Sequence, residues 1–318
     1  MQPGNSRSVV FFGTPEFALP SLEAIVRAGF SVPLVVTAPD RPKGRGLQLT
    51  PPPVKTFALN LGLKVIQPEK IRKPEVINEI LSYNPDVLVV VAYGRLIPPE
   101  LFRSVPFGAV NVHPSLLPKY RGPAPIQRAI LAGDEITGVT IMLIDEGLDS
   151  GPVLSMKTVT IEPFETAGEL SGRLAVEGAH LLVETLGKWL DGEISPEPQD
   201  NRIATFAPAI QKEETLIDWE RAAAHIINLC RAFDPVPGAY TIFQGKRIKC
   251  FGARKASTRF PDAKPGEVVG VSEEGLLVQA GDGETVALGF LQMEGKKRLT
   301  AKEFVKGLRN IIGSRLGA

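Results

Sequence analysis

The sequence predicts an α/β protein, a doubly wound Rossmann-like domain followed by a second, smaller C-terminal β-barrel of the OB-like kind. Three observations carry that expectation. At 318 residues the chain exceeds an ordinary single domain. From Ser8 to about Leu190 short β-branched runs alternate with amphipathic stretches, whereas beyond about Pro208 the runs are short, closely spaced and punctuated by glycine. Between the two regions, Asp191 to Pro208 replaces periodicity with prolines and charges.

Taken in order, Val9 to Phe12 reads as the first strand, and EFALPSLEAIVRAG follows at helical spacing. VPLVVT is the second strand. After a loop come two amphipathic stretches, VKTFALNLG and PEVINEILSYN, and then the strand DVLVVV. Runs that are apolar throughout are buried on both faces, as in a parallel sheet covered by helices. Gly108 to Val112 and Thr137 to Ile144 are further strands, separated by a helix around Ala124 to Ala132, and the helix Ala167 to Leu190 follows VLSMKTVTI. Past the proline-rich stretch a helix over Glu220 to Ala232 precedes five short strands (AYTIF, KRIKCFGA, GEVVGV, GLLVQA, TVALGF), and a helix over Ala301 to Ile312 closes the pattern. The expected division is 1–190 for the first domain, 191–210 for a linker and 211–318 for the second domain.

Composition narrows the function classes. With 43% apolar and 22% charged residues and no uninterrupted apolar run of bilayer length, no membrane span is expected. The polar start, Met1 to Ser8, runs into an apolar stretch too short for a signal-peptide core, so the expected location is cytoplasmic. Cys230 and Cys250 suggest reduced buried thiols, and none of His113, His180 and His225 stands at metal-ligand spacing, so no metal is expected. The net charge is +1, but residues 211–318 hold 17 Lys+Arg against 13 Asp+Glu, a mildly basic C-terminal third.

The first strand-to-helix turn, FFGTPEFALP, has one glycine where a dinucleotide fingerprint needs three, which weakens a nicotinamide-linked oxidoreductase. Thr14 there suits a tight, capped turn. The segment GAVNVHPSLLPKYRGPAP is the most informative: Asn111 and His113, two apart on a strand, leave the same face, and Pro114 and Pro118 stiffen the loop that follows. After the strand GVTIMLI, the glycine-broken DEGLDSG carries Asp145, Glu146 and Asp149 on a loop expected at the same carboxyl edge as His113. A carboxylate beside an imidazole would raise its pKa and fix its tautomer, which suits stabilisation of an oxyanion and proton movement. Glu146 reads as a solvated acid. Between the second strand and the next helix, APDRPKGRGLQLTPPPVK sets Arg41, Lys43, Arg45 and Lys55 against Asp40, a basic loop able to contact a phosphate backbone.

The strings NVHPSLLPKYRGPAPIQRAI, GVTIMLIDEGLDSGPVL, FFGTPEFALPSLEAI, DRPKGRG and VVVAYGRLIP together resemble the folate-dependent formyltransferases, most closely those acting on tRNA. KEETLIDW and RAFDPVPGAY extend the resemblance beyond the linker. SLLP and the DEGLDSG pattern are shared by the whole family, so they specify chemistry rather than acceptor. The resemblance implies Asn111, His113 and Asp149 as catalytic residues, with Asn111 and a protonated His113 holding the oxyanion and Asp149 orienting the ring. It implies Ser115, Leu116, Leu117 and Pro118 as the folate-binding segment, and Val91, Ala92 and Tyr93 beside the pterin. The implied co-substrate is 10-formyltetrahydrofolate, and the implied acceptor is the methionyl amine of initiator Met-tRNA, used in translation initiation by a monomer. Arg45 matches the family's tRNA-reading position, with Arg41 and Lys43 as helpers. Lys246, Arg247, Lys249, Arg254, Lys255 and Lys296 to Arg298 would add phosphate contacts. The alternatives are formyl transfer to a sugar nucleotide or other small amine, and a non-catalytic RNA-binding protein. A glycinamide ribonucleotide enzyme is shorter and has a Gly-rich phosphate loop that GTPEF lacks.

Overall fold

Unbroken runs of Val, Leu and Phe set the first sheet, because strands that bury both faces need no polar alternation. The computed structural model describes residues 7–43, 48–308 and 310–317, with Lys43 described by its backbone alone. In chain order the elements are β1 (Ser8–Gly13), α1 (Leu19–Arg27), β2 (Ser31–Val36), β3 (Arg41–Lys43), β4 (Gln48–Thr50), α2 (Pro53–Asn60), β5 (Val65–Ile66), α3 (Pro74–Leu81), β6 (Val87–Val91), α4 (Pro99–Phe102), β7 (Ala109–His113), α5 (Pro125–Ala132), β8 (Ile136–Leu143), β9 (Val153–Thr160) and α6 (Ala167–Leu190). Helices α1 to α5 each carry proline in the first turn, where its missing N–H costs no helical bond. Five helix starts are thus written in one residue type.

The sheet order is β5-β2-β1-β6-β7-β8-β9, with β5, β2, β1, β6 and β7 parallel. The chain winds one way from β1 to β2 and the other way through β6, so the switch point lies between β1 and β6. Phe12, Leu34, Leu88 and Val90 form one core with Tyr93 and Leu101. The sheet is not parallel throughout. Strand β8 runs antiparallel to β7, pairing His113 with Thr140 and Val110 with Leu143.

The second region adds α7 (Ala223–Phe233), β10 (Ala239–Phe243), β11 (Lys246–Lys255), β12 (Val268–Val271), β13 (Leu276–Gln279), β14 (Thr285–Met293), β15 (Leu299–Thr300) and α8 (Ala301–Lys306). Its strands form an antiparallel sheet in the order β10-β11-β14-β13-β12, with β15 on β14. The two ends of β14 use one edge twice, Thr285–Leu288 for β13 and Phe290–Leu291 for β15. Helix α8 opens on a capping box between Thr300 and Glu303 and ends at Lys306, before Gly307, six residues short of the expected Ile312.

The chain divides into two compact units. One comprises Met1–Gly122, Thr137–Val159 and Ser171–Phe206; the other comprises Pro123–Ile136, Thr160–Leu170 and Ala207–Ala318. Helix α5 belongs to the second unit because Arg128 forms an ion pair with Glu214 at 2.7 Å and donates to the Pro208 carbonyl. Residues 191–206, whose composition suggested a connector, belong to the first. Among the described residues no helix is long and apolar enough to cross a membrane.

Candidate active site

Strand β7 lies beside β6 in the register Val90 to Asn111, and its last residue, His113, is 3% exposed. The alternation of a strand puts Asn111 and His113 on one face. His113 Nε2 lies 3.0 Å from the Tyr120 carbonyl, which can only accept, so Nε2 carries the hydrogen. In the neutral ring the lone pair is then on Nδ1, 3.6 Å from Asp149 Oδ2 and beyond hydrogen-bond length. Asp149 Oδ2 accepts instead from the Gly122 N–H at 2.8 Å. Asn111 is half-buried, and its amide has no hydrogen-bond partner among the described residues.

Burial pushes the His113 pKa below its ordinary value, outweighing the opposing pull of Asp149 and of the Tyr120 carbonyl. The resting ring is therefore neutral, not the imidazolium expected from a neighbouring carboxylate. The route by which Asp149 arrives also differs from the expected one. Because β8 is antiparallel to β7, its carboxyl end lies at the amino end of β7, where the Ile144 N–H donates to the Ala109 carbonyl at 2.8 Å. Only the loop 144–152, turning back, brings Asp149 to the ring. Gly151 permits that turn, since a Cβ there would lie 1.9 Å from the Leu143 carbonyl oxygen.

Strain marks the same place. Ala92, Tyr120 and Asp149 have φ of 47°, 62° and 47°, a left-handed conformation that non-glycine residues adopt only where their surroundings hold them. Of the three, Tyr120 and Asp149 present the groups facing the two ring nitrogens of His113.

The SLLP segment is pinned from below by a residue that sequence reasoning missed. The buried Thr140 hydroxyl donates to the Ser115 carbonyl at 2.7 Å and accepts from the Leu117 N–H at 3.1 Å. Ser115 is itself fully buried, and its Oγ donates to the Lys119 carbonyl. Leu117 is buried as well, leaving Leu116 and Pro118 as the half-buried apolar side chains of the segment. At the switch point Val91 and Tyr93 are buried, Ala92 is exposed between them, and the Thr14 hydroxyl donates to the Tyr93 carbonyl at 3.0 Å. Tyr120, Gly122 and Thr140 have no functional residue type to betray them; their backbone or hydroxyl does the work.

The basic residues divide into engaged and exposed. Lys55 pairs with Asp40 at 2.8 Å and so is not a free cation of the loop. Arg41 is exposed on the β3–β4 hairpin; Arg45 and the side chain of Lys43 lie outside the described residues. In the second unit Arg298 forms two 3.1 Å bonds to Asp234 and stacks on Phe251, while Lys255 pairs with Glu284 at 3.2 Å. Arg254 lies over Phe164 and Arg247 over Tyr240. Glu146, read as solvated, pairs with Arg103.

Comparison with known proteins agrees with this architecture. Residues 6–186 match the family model described as formyl transferase, and residues 209–309 match that described as formyl transferase, C-terminal domain. The methionyl-tRNA formyltransferase of Geobacter metallireducens is 44% identical over 310 residues, covering 98% of both chains. That of Koribacter versatilis is 49% identical over 310 residues, covering 97% of this chain and 98% of the relative. A crystal structure of HypX from Aquifex aeolicus in complex with tetrahydrofolic acid superimposes with a TM-score of 0.68 at 20% identity, over 98% of this chain and 49% of that one, a likeness of fold. On both family models and on relatives similar from end to end, the chain belongs to the formyl transferase family.

Proposed function

We propose that the chain transfers the formyl group of 10-formyltetrahydrofolate to the methionyl amine of initiator Met-tRNA, the step that prepares this tRNA for translation initiation. Relatives of that name, similar over nearly their whole length, support the acceptor. The observation that carries the chemistry is the neutral, buried His113, with Nδ1 facing Asp149 at 3.6 Å and the Asn111 amide on the same strand face.

The residues fit a folate. Ala92 stands exposed at the carboxyl end of β6, next to β7, and Leu116 and Pro118 offer apolar side chains to a planar ring. Val91 and Tyr93 hold the backbone of that edge, and Ser115 and Leu117 anchor the loop. The folate supplies the formyl group, activated on its N10. The Asn111 amide N–H donates to the formyl oxygen as negative charge gathers there. His113 Nδ1 takes a proton from the attacking amine, and the Asp149 carboxylate steadies the imidazolium that results. The same proton is then available for the departing nitrogen, so the ring returns to its neutral form.

Arg41, Lys43 and Arg45 are assigned to the tRNA acceptor end, supported by the exposed β3–β4 hairpin that carries Arg41. Residues 1–190 serve catalysis and 211–318 the tRNA body, supported by the charge excess of the latter. A tRNA acceptor implies action in the cytoplasm, and the proposal takes the chain to act as a monomer. The test is a transfer assay with 10-formyltetrahydrofolate and, in parallel, charged initiator tRNA, glycinamide ribonucleotide or an amino sugar nucleotide. Formylation of a small acceptor but not of Met-tRNA overturns the acceptor. Arg45→Ala should weaken tRNA use and spare folate binding; equal defects in both would remove the loop assignment.

A further inference from the structure

Asp149 reaches His113 from a loop that left the sheet at the wrong end of β7, and it sits at a φ of 47°. Within the loop the Gly147 N–H and the Ser150 hydroxyl donate to the Asp145 carboxylate, which closes the turn on itself. The side chain of Gln199 ties that loop to the neighbouring chain. Its Nε2 donates one hydrogen to the Asp149 carbonyl at 2.9 Å and the other to the Gly151 carbonyl at 2.7 Å. Its Oε1 accepts from Arg121 Nε at 3.0 Å and from Nη2 at 2.7 Å. Arg121 can only donate, so the amide has one possible orientation and all of its contacts are satisfied in it.

These bonds close a ring. Arg121 is 5% exposed, and the next residue, Gly122, gives its N–H to the Asp149 carboxylate. The carboxylate and the carbonyl of Asp149 are therefore both tied, through Gly122 and through Gln199, to the same Arg121. The stretch bearing Gln199 is anchored in turn: Glu197 and Val153 exchange two 2.8 Å backbone bonds, and Asn201 Oδ1 accepts from Arg121 Nη2. Six residues on, Thr205 serves the other side of the imidazole. Its hydroxyl accepts from the Tyr120 N–H at 2.8 Å and its carbonyl from the Arg121 N–H at 2.9 Å, fixing the Tyr120 carbonyl that His113 Nε2 meets.

We propose that residues 197–206 form the support of the active site, with Gln199 and Thr205 as positioning residues that set Asp149 and the Tyr120 carbonyl against the two nitrogens of His113. The inference rests on the reading that His113 and Asp149 act together in formyl transfer. Its physical basis is that a charge steadies an imidazolium in proportion to its nearness, so a carboxylate on a loop needs a fixed carbonyl as well as a fixed oxygen. Gln199→Ala removes no atom that would touch substrate and takes two donors from the loop that carries Asp149.

The test measures kcat and KM for Gln199→Ala and titrates His113 by the NMR shifts of its ring, alongside Asp149→Asn. Asp149 is the charged group facing the ring, and its nearness favours the protonated form. The expected result is a fall in kcat of about tenfold to a hundredfold with folate KM held, and a His113 titration displaced to lower pH. A stability defect alone would lower the melting temperature and leave that titration where it was. Parental kcat and parental His113 titration in Gln199→Ala, with transfer lost in Asp149→Asn, overturn the inference and leave the reading of the site standing. Transfer retained by Asp149→Asn overturns that reading and the inference with it. If Gln199→Ala does not fold, Thr205→Val, which removes a single hydroxyl, tests the same support, with the same drop in kcat expected and parental kcat counting against it.

Discussion

Replacing Asp149 by asparagine removes one charge 3.6 Å from His113 Nδ1 and leaves a side-chain oxygen for the Gly122 N–H. At that separation two unit charges interact by about 5 kcal/mol at an effective dielectric constant of ~20. The resting ring is neutral, so this attraction appears only once His113 holds the proton. Its loss therefore falls on the barrier and not on the resting state. Solvent reaches the Asp149 side chain, 21% exposed, and screens part of the field. Roughly 3 to 4 kcal/mol remains, a fall in kcat of about 10²-fold to 10³-fold. The assay is steady-state formyl transfer to charged initiator tRNA at saturating folate, with a thermal melt to show that the variant folds. The pH profile supplies a second reading. Neutral His113 is the working form, so activity rises as the ring deprotonates; without Asp149 the ring deprotonates at lower pH, and the acid limb of kcat/KM moves down. An asparagine variant within about threefold of the parent, with an unmoved limb, would refute the role given to the carboxylate.

Further substitutions probe the frame. Thr140→Val deprives the Ser115 carbonyl and the Leu117 N–H of their partner in a buried place, and should cost about 1 to 3 kcal/mol in urea unfolding and raise the folate KM. An unchanged KM would separate Thr140 from the folate segment. Gly138→Ala puts a Cβ 2.2 Å from the Lys157 carbonyl oxygen and 2.4 Å from Leu116 Cδ2, and should destabilise by about 1 to 3 kcal/mol, read as a lower melting temperature. His113 titrates below its ordinary value in the folded chain, so between the two pKa values the unfolded state binds the extra proton. Its contribution is present above about pH 6.5 and is lost as pH falls from there towards the folded pKa. His113→Gln should therefore lose less stability than the parent between about pH 7 and pH 5, and equal losses in paired unfolding curves would contradict the burial argument.

Much of the architecture was legible because its causes are local. The apolar runs at Val9, Leu34 and Val87 announce strands buried on both faces, and prolines such as Pro53, Pro74 and Pro125 mark helix starts by their own geometry. Asn111 and His113 share a face for a reason contained in their spacing. The direction of β8 is not contained in GVTIMLI, since an apolar strand satisfies its backbone equally in either sense, and inferring a parallel neighbour misplaced the loop of Asp149. The end of α8 is hidden for a related reason: Ile311 and Ile312 continue an apolar pattern after the helix has ended at Gly307.

The residue types of the site, the order of its strands' sequences and the family were fixed in one dimension, because side-chain chemistry and period belong to short stretches of chain. Tertiary structure alone decided three things: that His113 is neutral, that Asp149 arrives by a returning loop, and that Gln199 and Thr205 in a proline-rich stretch hold the groups around the ring. Each of these depends on burial or on bonds between residues tens of positions apart, and neither desolvation nor a long-range hydrogen bond leaves a mark on the local sequence.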